Sequence, residues 1–167
     1  MNRTALTEDA PMKNAIAIRP ALSTDAAAIS PLLRQLGYHQ PSEVLAQRLT
    51  ARLDALAFVV ERDEQVVGFM SLHIIDWMHR PDAAARLSAL VVDERYRRMG
   101  IGRALIALAE TTAVQRGCTS IELTSNLRRR ADGTYDFYDS LGYDRADDTT
   151  YFRKPLRSTP GGHRSVP

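Results

Sequence analysis

Leu87–Asn126 reads "LSALVVDERYRRMGIGRALIALAETTAVQRGCTSIELTSN", two patterned halves joined by a turn with arginines at 95, 97 and 98 and glycines at 100 and 102. Ahead of the turn, Arg86–Val92 is apolar with little polar alternation, as expected of a strand buried on both faces. After it, Ile101, Leu105, Leu108 and Thr112 recur at helical spacing with Ala104 and Ala109 beside them, and Gly117 is placed to end that helix. "CTSIELTS", from Cys118, then reads as another strand. The resulting strand, helix, strand unit over 87–125 is predicted to be parallel and right-handed.

The turn itself has a chemical meaning. A helix N-terminus exposes unpaired N–H groups and the positive end of the helix dipole, and glycine lets a ligand approach the backbone closely, so the junction reads as an anion site. Arg97 and Arg98 add positive charge. A P-loop requires Gly-Lys-Ser/Thr, whereas Gly102 is followed by Arg103 and Ala104. A dinucleotide fingerprint fails as well, because Leu105 stands where its third glycine belongs.

Working outward, "AIAIRPA" (Ala15–Ala21) reads as a first strand, and Thr24 or Asp25 can cap a helix running to Gly37. Pro41 and Ser42 open a second helix, "SEVLAQRLTARL". "LAFVVERDEQVVGFMSLHII" holds two β-rich runs around the polar "RDEQ", a hairpin signal. "HRPDAAA" reads as a loop, "TYDFYDSLGY" as a short amphipathic helix ending at Gly142, and "TTYFRKPL" as a last strand.

At 167 residues the chain supports one sizeable core. The expected organisation is one domain over 14–156 between a polar N-terminal tail, 1–13, and a Ser/Pro/Gly-rich C-terminal tail, 157–167, both flexible. All but two of the 22 basic residues are arginine, yet the formal charge is only +2, which by itself predicts neither nucleic-acid nor membrane binding. A single cysteine, Cys118, excludes an internal disulfide and suits a reducing compartment. No run approaches the roughly 18 apolar residues of a membrane span, and "MNRTALTEDAPMKN" lacks the apolar core of a signal peptide. The expectation is a cytoplasmic protein.

"RRMGIG" fits the pattern Arg/Gln-x-x-Gly-x-Gly/Ala, and with it the chain resembles the GNAT superfamily of acyl-CoA-dependent N-acyltransferases. Leu87–Asn126 is similar to that family's strand, pyrophosphate loop, helix and next strand, and "FYDSLGY" (Phe137–Tyr143) to its later helix; the likeness spans about 15–156. The resemblance implies a mixed α+β fold with a central, mostly antiparallel sheet flanked by helices, its strands four and five splayed apart. It implies acetyl-CoA as co-substrate, with the backbone of Arg98, Met99, Gly100, Ile101, Gly102 and Arg103 around the pyrophosphate and Arg97 and Arg98 supporting the phosphates. Leu90, Val91 and Val92 would pair with the pantetheine arm as an added strand does. Asn126 would bond the pantetheine or else form a turn. Tyr138 would protonate the leaving thiolate while a free amine attacks the carbonyl, whose oxygen a strand-four amide, that of Val91 or Val92, polarises.

The general base stays open. Many relatives place a Glu early in strand four, where this chain has Arg86 and Ser88. A water relay, Glu122, His73 and Asp76 are the candidates; Glu122 shares a strand face with Thr124 and Asn126, either cleft or polar surface. Phe137 reads as a core aromatic and Cys118 as an inert thiol. His73, Asp76 and His79 do not make a compelling metal set, so no metal is expected. "VVGFMSLHI" and "IELTSNLRRRADGTYDFYDSLGY" are similar to aminoalkylphosphonate N-acetyltransferases, whose acceptors are small amines bearing an anion; Arg128–Arg130 would hold that anion, face the coenzyme's 3′-phosphate or form a solvated loop. The expected partner is a small-molecule primary amine, with no nucleic acid or membrane and with a homodimer as in many relatives. A protein or peptide N-acetyltransferase and a non-catalytic acyl-CoA sensor are the rival readings.

Overall fold

A computed structural model describes residues 15–51, 55–125, 133–146 and 152–154. The backbone groups into two compact units, Met1–Thr124 and Ser125–Pro167.

The first unit is built on a five-stranded sheet, in chain order β1 (Ile16–Pro20), β2 (Ala55–Arg62), β3 (Gln65–Ile75), β4 (Ala83–Val92) and β5 (Cys118–Leu123). Its first four strands pair antiparallel, and β4 and β5 pair parallel. The β2–β3 hairpin turns at Asp63 and Glu64, both at positive φ (48° and 62°), the sign that two-residue turns need to match strand twist. Between β1 and β2 lie α1 (Ala26–Gln35) and α2 (Ser42–Ala51), and between β4 and β5 lies α3 (Ile101–Gln115). As read from the sequence, α3 ends at Gly117, whose φ is +76°.

Helical and strand periodicities explain how these elements share the sheet. Ile29, Leu32 and Leu33 of α1 and Leu45 of α2 form one buried cluster with Val59, Phe69 and Val91, which are cross-strand partners on a single face. Burying a side chain such as Phe69 contributes about 1.5–3 kcal/mol. Val60, Met70 and Leu72 alternate to the opposite face, and α3, which contacts β3, β4 and β5, buries Ile101, Leu105, Ile106 and Ala109. Ile106 was not among the positions that periodicity singled out.

Four sequence expectations need correction. Ala83–Ala85, read as loop, are the first residues of β4, and Ala84 and Ala85 are buried between β3 and β5. Alanine carries little β signal of its own; burial between two neighbours makes the strand. β4 is also not buried throughout, since Ser88 is exposed and Leu90 and Val92 are only half-buried. Asp25 does not cap α1 with its side chain. It accepts instead from Arg19 Nη1 (2.7 Å) and Nη2 (2.9 Å) and from the Leu22 N–H (2.8 Å), and Arg19 Nε reaches Glu61 (2.8 Å), which ties β1 to β2 and to the approach to α1. Hydrogen bonding to Arg19, aided by the Leu22 N–H and opposed by burial, holds the Asp25 carboxyl below its usual range. Lastly, most of "TTYFRKPL" lies outside the described residues, and Phe152–Lys154 belong to no strand.

The second unit contributes α4 (Thr134–Asp139), with Phe137 and Tyr138 in edge contact (centroids 5.2 Å apart), and Tyr138 and Tyr143 likewise (5.7 Å). Phe137, expected in the core, is half-buried like Tyr138. Asn126 and Arg128–Arg130 lie outside the described residues. No helix among the described residues is long and apolar enough to cross a membrane.

Candidate functional site

The β4–α3 junction takes its shape from alternating backbone handedness. Arg98 has φ +65° and Gly100 φ +80°, with Met99 at negative φ between them. Such alternation turns successive N–H groups into one concavity, the arrangement that receives anions. Gly100 is the N-cap of α3 and no side chain caps the helix; the first intrahelical bond runs from Ala104 N to Gly100 O (3.0 Å). The N–H groups of Ile101, Gly102 and Arg103 are therefore left over at the positive end of a 15-residue helix.

The arginines of the turn divide into two sets. Arg95 folds back onto Asp93, donating from Nε (3.1 Å) and Nη2 (2.9 Å), and this pairing holds the Asp93 carboxyl below its usual range against the opposing effect of burial. Arg97 donates from Nε to Val92 O (3.3 Å) and from Nη2 to Gln35 Oε1 (3.4 Å), while Gln35 also accepts the Glu94 N–H (3.1 Å). Gln35 thus ties the end of α1 to the turn, a role with no sequence signal because the partners are 59 and 62 residues apart. Arg98 and Arg103 are exposed and have no ion-pair partner among the described residues, so their charge is available to a ligand. Met99 is exposed and its sulfur accepts from Arg62 Nη1 (3.0 Å).

β4 leads into this turn along an edge that β5 vacates. The β4–β5 register runs from Ala83 opposite Cys118 to Leu87 opposite Leu123 and then stops, while β4 continues to Val92 against β3 alone. Asp93 N donates to Val67 O (2.9 Å), and the Val91 carbonyl oxygen lies near Gly68. Strand alternation then directs the backbone groups of Val91 to β3 and those of Leu90 and Val92 to the vacated side. Of the three residues expected along the slot, two offer their backbone to it. Ser88 sits at a register shift just past the last β5 partner, its hydroxyl bonded to that of Ser71.

On the face that carries Phe69 and Val91, but nearer the other end of β4, His73, Arg86 and Glu122 are register partners across β3, β4 and β5. Glu122 accepts from Arg86 Nη1 (3.4 Å) and, with its other oxygen, from Arg80 Nη1 (3.2 Å). All three side chains are a third to a half exposed, and single contacts of this kind contribute about 0–1 kcal/mol, enough to orient and too little to lock. Arg80 also lies over the Trp77 ring, 5.6 Å from its centroid. His73 has no hydrogen-bond partner among the described residues, and Asp76 is exposed just past β3. Neither Arg80 nor Arg86 was expected at a site; sheet register brings Arg86 to Glu122, and the connection between β3 and β4 brings Arg80.

Cys118 stands at the far, paired end of β5, where burial pushes its thiol pKa up, as suits an unreactive thiol. Among the described residues no cluster of His, Cys, Asp and Glu is placed to hold a metal. A shallow hollow of about 400 Å³ lies at the α1–α2 connection, lined by Arg34, His39 and Glu43 among others, with no residue of the β4–α3 turn.

The chain is similar to known proteins. The chain is 37% identical over 82 residues to an aminoalkylphosphonate N-acetyltransferase of Salmonella typhimurium, a match covering 49% of this chain and only about half (52%) of that relative. It is 28% identical over 146 residues to an aminoglycoside N(6')-acetyltransferase type 1 of Stenotrophomonas maltophilia, covering 83% of this chain and 93% of the relative. An aminoglycoside acetyltransferase from an uncultured soil metagenomic sample, solved with sisomicin, superposes with a TM-score of 0.69 at 19% identity over 85% of this chain and 97% of its own, a likeness of fold. The family model described as "Acetyltransferase (GNAT) family" matches residues 27–143, a span that holds the N–H concavity, the vacated β4 edge and α4; the chain belongs to the GNAT acetyltransferase family.

Proposed function

We propose that the protein transfers the acetyl group of acetyl-CoA to the primary amine of a small molecule by direct attack within a ternary complex. One observation carries the reading: an uncapped helix N-terminus with alternating backbone handedness stands at the end of a strand edge where, among the described residues, the backbone of Leu90 and Val92 has no strand partner on the vacated side. The first suits a pyrophosphate and the second an extended chain of amides, and coenzyme A is one molecule with both.

In this reading the amides from Arg98 to Arg103 hold the pyrophosphate, and Arg98 and Arg103 supply charge. Arg97 is already turned toward Val92 O and contributes once it swings to a phosphate. Leu90 and Val92 pair with the pantetheine, and the Val92 amide, on the vacated side, is better directed than that of Val91 to polarise the thioester carbonyl. As the C–N bond forms and the C–S bond breaks, Tyr138 gives its phenolic proton to the departing thiolate. The attacking amine must first lose a proton. Glu122, the one carboxylate within β3, β4 and β5, is the proposed acceptor, directly or through water, and Asn126 is a further pantetheine contact.

Calorimetric titration with acetyl-CoA, followed by a thiol-release assay over a panel of small amines and peptides, tests this. Failure to bind acetyl-CoA overturns the proposal. Binding without thiol release for any amine leaves an acyl-CoA sensor, and turnover of peptides alone moves the acceptor to proteins.

A further inference from the structure

We infer that Arg97 is a latch that selects the acyl donor: with no phosphate at the turn its guanidinium covers the Val92 carbonyl, and a diphosphate draws it off. The protein thereby favours donors that join a diphosphate to a pantetheine arm over a pantetheine thioester alone. The inference deepens the acetyl-transfer reading and rests on it for the identity of the donor.

Geometry makes the contact exclusive. Asp93 N donates to Val67 O (2.9 Å), so strand alternation turns the backbone of Val92 away from β3. Any donor to Val92 O therefore stands on the side that β5 vacates, where an added strand would lie. Arg97 Nε is such a donor (3.3 Å). A pantetheine amide that pairs with Val92 as a strand does needs the same oxygen from the same side.

The strength of the contact makes it releasable. Arg97 is exposed, and both of its acceptors are uncharged: Val92 O and, from Nη2, Gln35 Oε1 (3.4 Å). Among the described residues it enters no ion pair, and the nearby Asp93 carboxylate is taken by Arg95 (2.9 and 3.1 Å). Departure therefore breaks two long, exposed hydrogen bonds, whereas a phosphate accepts the same planar fork with a full opposing charge. Gln35 keeps the Glu94 N–H (3.1 Å) when Arg97 leaves, so the turn stays tied to α1 while the latch moves. Arg103, exposed on α3, adds charge without any such bond to β4.

The two halves of the donor are coupled as a result. Phosphate at the turn and pantetheine along β4 each favour the displaced position of Arg97, so each tightens the other by the same factor. That factor is bounded by the bond from Arg97 to Val92 O, about 2- to 10-fold for one ordinary hydrogen bond.

The experiment titrates the full chain with pantetheine, alone and with saturating inorganic pyrophosphate, by NMR of the backbone amides, and with coenzyme A by calorimetry. In the parent, pyrophosphate should tighten pantetheine about 2- to 10-fold. In Arg97→Leu, pantetheine alone should bind as tightly as it binds the parent with pyrophosphate, pyrophosphate should give no further gain, and coenzyme A should weaken. Pantetheine carries no charge, so a gain on removing an arginine marks a latch; a plain phosphate contact would leave pantetheine unmoved. Arg103→Leu is the control, with weaker coenzyme A binding but with pantetheine and its coupling as in the parent. No coupling in the parent, coupling that survives Arg97→Leu, or pantetheine that binds Arg97→Leu no tighter than the parent overturns the latch even where coenzyme A binds. Failure of the parent to bind coenzyme A instead overturns the acetyl-transfer reading, and the latch with it.

Discussion

Two glycines bracket α3, and their comparison isolates what the β4–α3 turn does. Gly100 and Gly117 have φ of +80° and +76°, and a Cβ built on either meets no heavy atom within 4 Å. Replacing either by alanine thus adds no clash, only the cost of a left-handed conformation for a residue with a Cβ, about 1–2 kcal/mol. For a chain of this size that corresponds to a fall of roughly 2–8 °C in Tm. Gly100→Ala and Gly117→Ala should therefore lose similar stability by scanning calorimetry. Their binding should part company. In Gly100→Ala the relief of strain rotates the peptide units whose N–H groups line the concavity, and losing one hydrogen bond to a charged phosphate weakens acetyl-CoA by about 10- to 100-fold. Gly117, at the opposite end of the helix, should leave the affinity within error of the parent. Equal affinities in the two variants, with the Tm losses present, would refute the assignment of the turn as the pyrophosphate site. A loss of affinity in Gly117→Ala as large as in Gly100→Ala would show that binding follows general stability and not the turn.

Gly102→Glu places a carboxylate in the first turn of α3, where the helix dipole and the loss of a helical glycine favour folding by about 1 kcal/mol, so Tm should hold or rise while acetyl-CoA binding disappears; calorimetry showing unchanged affinity would remove Gly102 from the cradle. Tyr138→Phe keeps the ring and removes the hydroxyl; single-turnover measurement should show a rate about 10²-fold lower with acetyl-CoA affinity preserved, and a parental rate would demote Tyr138 to packing. Asp25→Asn should cost about 2–3 kcal/mol at neutral pH, because it breaks a charge-assisted fork to Arg19. The folded-state pKa of Asp25 is depressed, so its contribution is present above the ordinary carboxylate range and is lost as pH falls through and below about 4. The Tm gap between parent and Asp25→Asn should therefore be constant from pH 5 to 7 and close at lower pH; a gap that persists at pH 2 would assign it to packing.

Local pattern was enough for much of this molecule. Period-3.6 spacing defined α3, glycine marked its end, and two β-rich runs around a polar turn defined the β2–β3 hairpin; the proposed anion site likewise rests on a local signal, the strand, glycine turn, helix order. Each of these signals is carried by residues within a few positions of one another. What tertiary structure decided is non-local. Ala83–Ala85 are strand because β3 and β5 flank them, not because alanine favours a strand. The end of β4–β5 pairing at Leu87, and with it the division of Leu90 and Val92 from Val91, follows from register, which a single strand's sequence does not encode. Asp25 looked like a helix cap, but Arg19 claimed it. The grouping of Arg80, Arg86 and Glu122 joins residues 36 and 42 positions apart. Periodicity reports which face a residue takes along its own element; which side chains meet across that face is settled only when the strands pair, because partner identity depends on the register between segments distant in the chain.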